Sequence, residues 1–146
     1  MSKGDLDFKS FAENVENYVY IDTFSEKMNL AGRRGLMYAG KFIIKETSEK
    51  IKNPPKTGVK YKRMRVRSSR AGEFPANQTG KLRRSLGFQV DGTKRLYVGA
   101  REKYAGFLAF GTKKMGKRLF IGKVIEDNKK EIYDIIFNEI NKELKI

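Results

Sequence analysis

Two hydroxyl side chains near a lysine are the strongest candidates for chemistry in this sequence. Thr79 and Ser85 flank Lys81, and a lysine can serve as the base that activates a hydroxyl nucleophile. The chain has no histidine and no cysteine, so the commonest general base and the thiolate ligands of metals are both missing. A small hydrolase using Ser85 or Thr79 is therefore a minor alternative, and helix capping is the favoured role of Thr79.

The remaining patterns for catalysis or cofactor binding are also missing. Between residues 56 and 123 the only carboxylates are Glu73, Asp91 and Glu102, and none forms a short-spaced pair for acid–base work. The Gly80-Lys81 step lacks the earlier glycine of a phosphate-binding loop. We predict no catalytic residue, no metal site and no cofactor.

The positive charge of the chain lies in its middle. Residues 56–123 hold 19 lysines and arginines against three acidic residues, a net charge of +16, and the whole chain carries +15. This concentration predicts contact with a polyanion or an acidic protein, and a plain solvated surface is the alternative. Two clusters are expected to face DNA or another polyanion: Lys60, Lys62, Arg63, Arg65, Arg67 and Arg70, then Lys113, Lys114, Lys117 and Arg118.

Length and composition indicate one domain over residues 1–146. A chain of this size with 39% hydrophobic residues can bury one modest core. The sequence contains no apolar run long enough to span a membrane, and the absence of cysteine fits a reducing compartment. We expect a soluble protein made in a cytoplasm.

Hydrophobic periodicity predicts a long helix in each half of the chain. A wide apolar stripe predicts a helix over residues 34–51, which Asn53-Pro54-Pro55 terminates. Isoleucines at helical spacing predict a C-terminal helix from Leu119 onward. The pattern over residues 5–19 predicts a short N-terminal helix, so the first 20 residues could form a peripheral arm.

Extended segments and one short helix lie between the long helices. Alternating apolar and basic residues over 59–67 predict a strand with a cationic face. The runs 87–90 and 96–100 flank Asp91-Gly92, which predicts a hairpin, and residues 79–86 predict a helical turn or two. The fold class is α+β: a small antiparallel sheet packed by a long helix from the N-terminal half and a C-terminal helix.

Three aromatic residues, Tyr104, Phe107 and Phe110, have helical spacing in a segment rich in Gly and Ala. They are predicted to be core or subunit-contact residues rather than a platform for stacking bases.

A series of short motifs resembles a known family. The motifs are Gly-Glu-Phe-Pro-Ala-Asn-Gln-Thr-Gly-Lys-Leu-Arg-Arg-Ser-Leu at residues 72–86, Tyr97-Val98-Gly99, Tyr104-Ala105, Phe110-Gly111-Thr112-Lys113-Lys114-Met115, and Phe120. Their order and spacing resemble the neck or tail-completion proteins of tailed bacteriophages over about residues 68–125. Two positions depart from that pattern: Ala109, where the family often has Glu, and Leu119, where Pro usually precedes the Phe.

The resemblance implies a structural virion protein without enzymatic activity. It implies a ring of copies at the head–tail interface, between head-side connector or portal-associated proteins and tail terminator or tail tube proteins, around the channel for packaged DNA. Such a protein would be assembled in the bacterial host cytoplasm and would contact no membrane. The expected partner or intersubunit contacts are Phe74, Pro75, Thr79, Gly80, Leu82, Tyr104, Phe107, Phe110, Gly111, Thr112 and Met115. The alternative is a stand-alone DNA-binding protein without sequence specificity.

Overall fold

The elements follow one another in a mixed order of strands and helices. The computed structural model of the chain describes residues 18–21, 26–53, 56–58, 60, 62, 67–102 and 104–144. The elements are β1 (Tyr18–Tyr20), α1 (Glu26–Lys52), α2 (Lys81–Ser85), β2 (Leu86–Asp91), β3 (Arg95–Ala100), α3 (Ala105–Phe110), α4 (Ile121–Asp127) and α5 (Lys129–Leu144). A small antiparallel sheet packs against α1, which packs in turn against α5. The predicted α+β class is confirmed.

The sheet has three antiparallel strands in the order β1-β3-β2. The hairpin predicted around Asp91-Gly92 is confirmed as β2 and β3, with Phe88 opposite Val98. Side chains alternate between the faces of a sheet, so Phe88 and Val98 lie on the face that meets α1, as the approach of Phe88 to Gly40 shows.

The N-terminal helix predicted over residues 5–19 is wrong at its C-terminal end. Residues 18–20 form β1, in which Val19 lies opposite Leu96 and is buried. The strand forms because its backbone pairs with the edge of β3. Sequence periodicity does not include such distant hydrogen bonds, so the pairing outweighs the helical spacing of its apolar residues. The alternation Tyr18-Val19-Tyr20 is compatible with a strand but is too short to distinguish it from a helix. The rest of the predicted helix, residues 5–17, lies outside the described residues.

Glycines in α1 mark the places where other elements approach most closely. A Cβ atom added to Gly35 would lie 2.8 Å from the Cα of Ile136 in α5, and one added to Gly40 would lie 2.6 Å from the Phe88 ring. The helix predicted over residues 34–51 is confirmed and runs through all its glycines. At Gly35 and Gly40 the cost in helix propensity is therefore offset by close packing.

The predicted C-terminal helix is confirmed, as two consecutive helices. Asn128 separates α4 from α5, and its Nδ2 donates to the Val124 carbonyl oxygen at 2.9 Å. The isoleucine stripe faces the core as expected: Ile121, Ile132, Ile136 and Ile140 are buried, and Ile125 is partly buried.

Candidate assembly and nucleic-acid interface

Two loops that are far apart in sequence are hydrogen-bonded into one unit. We call residues 68–80 the motif loop and residues 111–118 the basic turn. Gly72 N donates to the Lys117 carbonyl oxygen at 3.0 Å, and Leu119 N donates to the Glu73 carbonyl oxygen at 2.8 Å. The structure thus brings the start of the motif series, at Gly72 and Glu73, beside its last part, at Lys117 and Leu119.

Arg118 is the side chain that holds these loops together. Its Nε donates to Ser69 Oγ and its Nη2 to the Ser69 carbonyl oxygen, both at 2.9 Å. Its main-chain N–H donates to the Leu108 carbonyl oxygen of α3 at 2.7 Å. These hydrogen bonds give Arg118 a structural role in the motif loop, and its predicted contact with DNA stays a prediction.

Glu73 anchors the other side of the motif loop. Its Oε1 accepts hydrogen bonds from Thr57 Oγ1 at 2.7 Å and from Arg70 N at 2.8 Å. These bonds, that of Thr57 first, favour the ionised carboxylate and lower the pKa of Glu73 below its ordinary value of 4.5. The carboxylate therefore joins the chain after α1 to the motif loop.

Stability should depend on pH through Glu73. Because its pKa is depressed in the folded state, the contribution is complete above the ordinary value of 4.5 and is lost as the pH falls through the folded pKa. We expect the variant Glu73→Gln to lose that part of the acid dependence in urea unfolding measured across acidic pH. Glu131→Gln, at an exposed position of α5, is the matched control. A Glu73→Gln profile parallel to the wild type would contradict this assignment.

The short helix α2 begins without a side-chain cap, so the predicted capping role of Thr79 is corrected. Gly80 is the N-cap residue with φ of 79°, and no side chain makes a capping hydrogen bond. Thr79 Oγ1 lies 3.4 Å from Lys81 N, at the long limit for a hydrogen bond. The left-handed backbone of Gly80 therefore sets the start of α2.

The hydroxyl of Ser85 has a structural partner. Its Oγ donates to the Leu82 carbonyl oxygen at 2.7 Å, which stabilises the end of α2. Within the described residues no group of three or more Asp and Glu side chains could hold a metal ion. Neither observation supports the hydrolase alternative.

Substitutions at neighbouring positions should separate conformation from charge at the start of α2. Gly80→Val should lower the free energy of unfolding by about 1 to 3 kcal/mol, because a branched residue is strained at positive φ. Lys81→Ala should change it by less than about 0.5 kcal/mol, because Lys81 is exposed. Urea unfolding measures both values. Equal tolerance of both changes would contradict a structural role for this loop.

Helix α3 presents its aromatic residues to solvent. Phe107 is 58% exposed, Phe110 is 59% exposed, and Tyr104 beside them is 40% exposed. The prediction left a core role and a contact role open, and this exposure excludes the core role. Large apolar side chains grouped on a surface typically mark a protein interface.

The turn after α3 is built by three residues that were predicted to be contacts. Gly111 has φ of 79°, and a Cβ atom there would lie 2.9 Å from Lys117 N. Thr112 N donates to the Met115 carbonyl oxygen at 2.7 Å, and Thr112 Oγ1 accepts from Met115 N at 3.1 Å. These residues shape the basic turn and hold Lys113 and Lys114 exposed.

The predicted contacts in the motif loop divide into interior and surface positions. Pro75 and Leu82 are buried, so both are removed from the set of surface contacts. Phe74 is partly buried against the core, whereas Thr79 is exposed. An open groove of about 280 Å³ lies between the motif loop and α3. It is lined by Pro75 and Thr79 of the motif loop, Lys81 at the start of α2, Tyr104 before α3 and Leu108 within it.

The first basic cluster lies in a segment whose two ends meet. Gly58 N donates to the Ser68 carbonyl oxygen at 2.7 Å, which closes the base of residues 59–67. Of the strand predicted there, Lys60, Lys62 and Arg67 are described, and they are exposed and outside any strand. Arg63 and Arg65 lie outside the described residues. Arg70, Lys113, Lys114 and Lys117 are exposed around the neighbouring loops.

Lys56 is a buried cation that the charge pattern did not single out. Its Nζ donates to the Lys50 carbonyl oxygen at 2.9 Å, near the C-terminal end of α1. Burial is the main cause that lowers the pKa of Lys56. A lysine at this position satisfies carbonyl groups that the helix leaves without partners, so this charge stabilises the fold and is not part of the basic surface.

Comparison with known proteins adds no functional assignment. No helix among the described residues is long and apolar enough to cross a membrane. Comparisons with family models, curated proteins and solved structures gave no match.

Proposed function

We propose that this chain is a structural subunit of the head–tail connection of a tailed bacteriophage, where copies form a ring around the DNA channel. The observation that carries the proposal is the exposed aromatic surface of α3, which the motif loop and the basic turn hold in place. Such a surface suits a permanent contact with a protein. The resemblance of the same segments to neck and tail-completion proteins supports this assignment.

The basic segments suit a position beside packaged DNA. Gly58 and Ser68, which flank the basic segment 59–67 in sequence, are hydrogen-bonded to each other. Lysine and arginine side chains on such a segment can contact phosphates without reading base sequence. The basic turn adds a second cationic group, of Lys113, Lys114 and Lys117. Such contacts are compatible with a position beside a DNA channel.

Locating the protein in virus particles tests the proposal. Mass spectrometry of purified tailed particles should find the chain, and negative-stain imaging of particles made without it should show heads separated from tails. An antibody label at the junction of head and tail should be seen in wild-type particles. Absence of the chain from particles would overturn the assignment.

A stand-alone DNA-binding protein is the second candidate, and the net charge of +16 over residues 56–123 favours it. This candidate predicts a chain that is absent from particles and binds duplex DNA with affinity that falls steeply with salt. A titration of duplex binding at several salt concentrations, beside the particle analysis, distinguishes the two.

A further inference from the structure

The outer side of β2 is a strand edge whose main-chain groups can bind a partner. The sheet order places β2 at one edge, and within the described ranges no strand pairs with its outer side. Arg101 N donates to the Ser85 carbonyl oxygen at 3.1 Å, and main-chain groups of alternate residues point to alternate sides of a strand. The register therefore directs the N–H and C=O groups of Phe88 and Val90 outward, whereas those of Gln89 face β3.

This edge lacks the features that commonly protect an exposed strand. Native edges are often protected by proline, by lysine or by a bulge. The sequence of β2, Leu-Gly-Phe-Gln-Val-Asp, has no proline and no lysine, and it pairs with β3 residue for residue, without a bulge. The main chain of β2 therefore offers a regular edge on which an extended segment can continue the sheet.

A groove beside the edge supplies side-chain contacts for such a segment. It has a volume of about 380 Å³ and lies between β2 and α1, with Ile44 and Phe88 as its apolar lining. Arg84 and Arg101 also line it, and both are exposed. Among the described residues that line the groove, none is acidic. The groove therefore combines a small apolar surface with two positive charges.

The course of α1 determines which side chains of an added strand enter the groove. Helix α1 approaches Phe88 at Gly40, and near its C-terminal end Ser48 Oγ accepts a hydrogen bond from Arg83 Nε at 2.9 Å. Ile44 lies between these two contacts along the helix. Because side chains alternate between the faces of a strand, every second side chain of the added strand faces α1. Apolar side chains at those positions would pack against Ile44.

The charges around the edge favour an acidic partner over a second copy of this chain. Antiparallel pairing of two β2 edges would bring Arg84 and Arg101 of each copy beside the hairpin turn of the other. Arg33 lies at that turn, because its Nη1 donates to the Gly92 carbonyl oxygen. The turn region has the acidic residue Asp91 and three basic residues: Arg33, Lys94 and Arg95. Parallel pairing would place the arginines of the two copies side by side. Like charges opposed across an interface are unfavourable, so either arrangement of two copies is disfavoured.

We propose that the outer edge of β2 binds an extended acidic segment of another protein, which adds to the sheet as a fourth strand. Main-chain hydrogen bonds to Phe88 and Val90 give affinity, and apolar side chains on one face of the segment pack against Ile44. Its carboxylates bind Arg84 and Arg101. The inference goes beyond the proposed function and does not depend on it, because the edge is a different set of residues from α3 and the basic turn.

Peptide binding to the full-length chain tests the charge contact. The probe is a fluorescent peptide of alternating valine and glutamate with blocked ends, and fluorescence anisotropy measures its binding. Arg84→Glu/Arg101→Glu should weaken binding about tenfold. The matched control Lys129→Glu/Lys130→Glu makes the same change in net charge at exposed positions of α5, and it should keep most of the affinity. Equal weakening by the two variants, or no binding to the wild type, would overturn the proposal.

Hydrogen exchange with the same peptide tests the strand geometry. The amide hydrogens of Phe88 and Val90 should exchange more slowly in the complex, whereas that of Gln89, which already faces β3, should change little. Valines of the probe lie opposite Phe88, because paired residues share a face of the sheet. Methylation of the valine amides should therefore abolish binding while leaving the charges in place. Unchanged exchange at Phe88 and Val90, or full binding of the methylated peptide, would refute strand addition. Protection of the same amides in a dimer of the chain without peptide would assign the edge to a second copy instead.

Discussion

If the chain is the proposed head–tail subunit, replacement of Phe107 and Phe110 by alanine should abolish formation of tailed particles without unfolding the protein. Both side chains are more than half exposed, so the free energy of unfolding should change by less than about 0.5 kcal/mol. Aromatic residues at the centre of an interface each contribute about 2 kcal/mol or more. Loss of both should weaken each subunit contact about a thousandfold. Complementation of a phage that lacks the gene, scored as infectious particles, measures this effect.

The matched control for the α3 surface is Phe137→Ala. Phe137 is 51% exposed on α5, where its ring stacks on Tyr133 with centroids 6.1 Å apart. The control therefore removes a similar apolar area from another surface. If Phe137→Ala reduces particle yield as strongly as the double variant, or if the double variant has no effect, the assembly surface does not lie on α3.

Gly35→Val should cause the largest loss of stability among the substitutions considered. A Cβ atom at this position would lie 2.8 Å from the Cα and 3.0 Å from the carbonyl oxygen of Ile136. Because these are main-chain atoms, α5 must move away from α1, and we expect a loss of about 3 kcal/mol. For a chain of this length, the thermal midpoint should fall by roughly 6 to 12 °C. Thermal and urea unfolding measure both quantities.

Gly106→Ala in α3 is the matched control for this packing contact. Apart from its chain neighbours and the backbone of its own helix, no described atom lies within 4 Å of the position that its Cβ would take. Alanine should therefore be tolerated and should raise stability by up to about 1 kcal/mol, because glycine disfavours helix. Similar losses of stability from Gly35→Val and Gly106→Ala would show that the contact between α1 and α5 does not cause the destabilisation of Gly35→Val.

Much of the fold could be predicted from local features of the sequence. Three of its features depend only on nearby residues. They are the apolar stripe of α1, the isoleucine spacing of the C-terminal helices and the Asp91-Gly92 turn of the hairpin. Periodicity and turn chemistry therefore indicated these elements directly. The strand β1 could not be predicted in this way, because its hydrogen bonds come from β3, about 75 residues later in the chain.

The candidate site was predictable in composition but not in the role of each residue. The sequence indicated a cationic middle and an aromatic segment from residue 104 onward. It could not show that Leu82 points inward, or that Arg118 binds Ser69. These roles depend on contacts between segments as many as 49 residues apart, and no local pattern encodes such a contact.

The sequence by itself determined the α+β class, the long helices, the hairpin, the charge distribution and the lack of histidine and cysteine. These properties follow from composition and from interactions between near neighbours. Only the tertiary structure decided that the motif loop and the basic turn form one unit, that Gly35 and Gly40 of α1 are packing contacts, and that the α3 aromatics are exposed. Each of these depends on which distant segments meet, and that is fixed only when the whole core is packed.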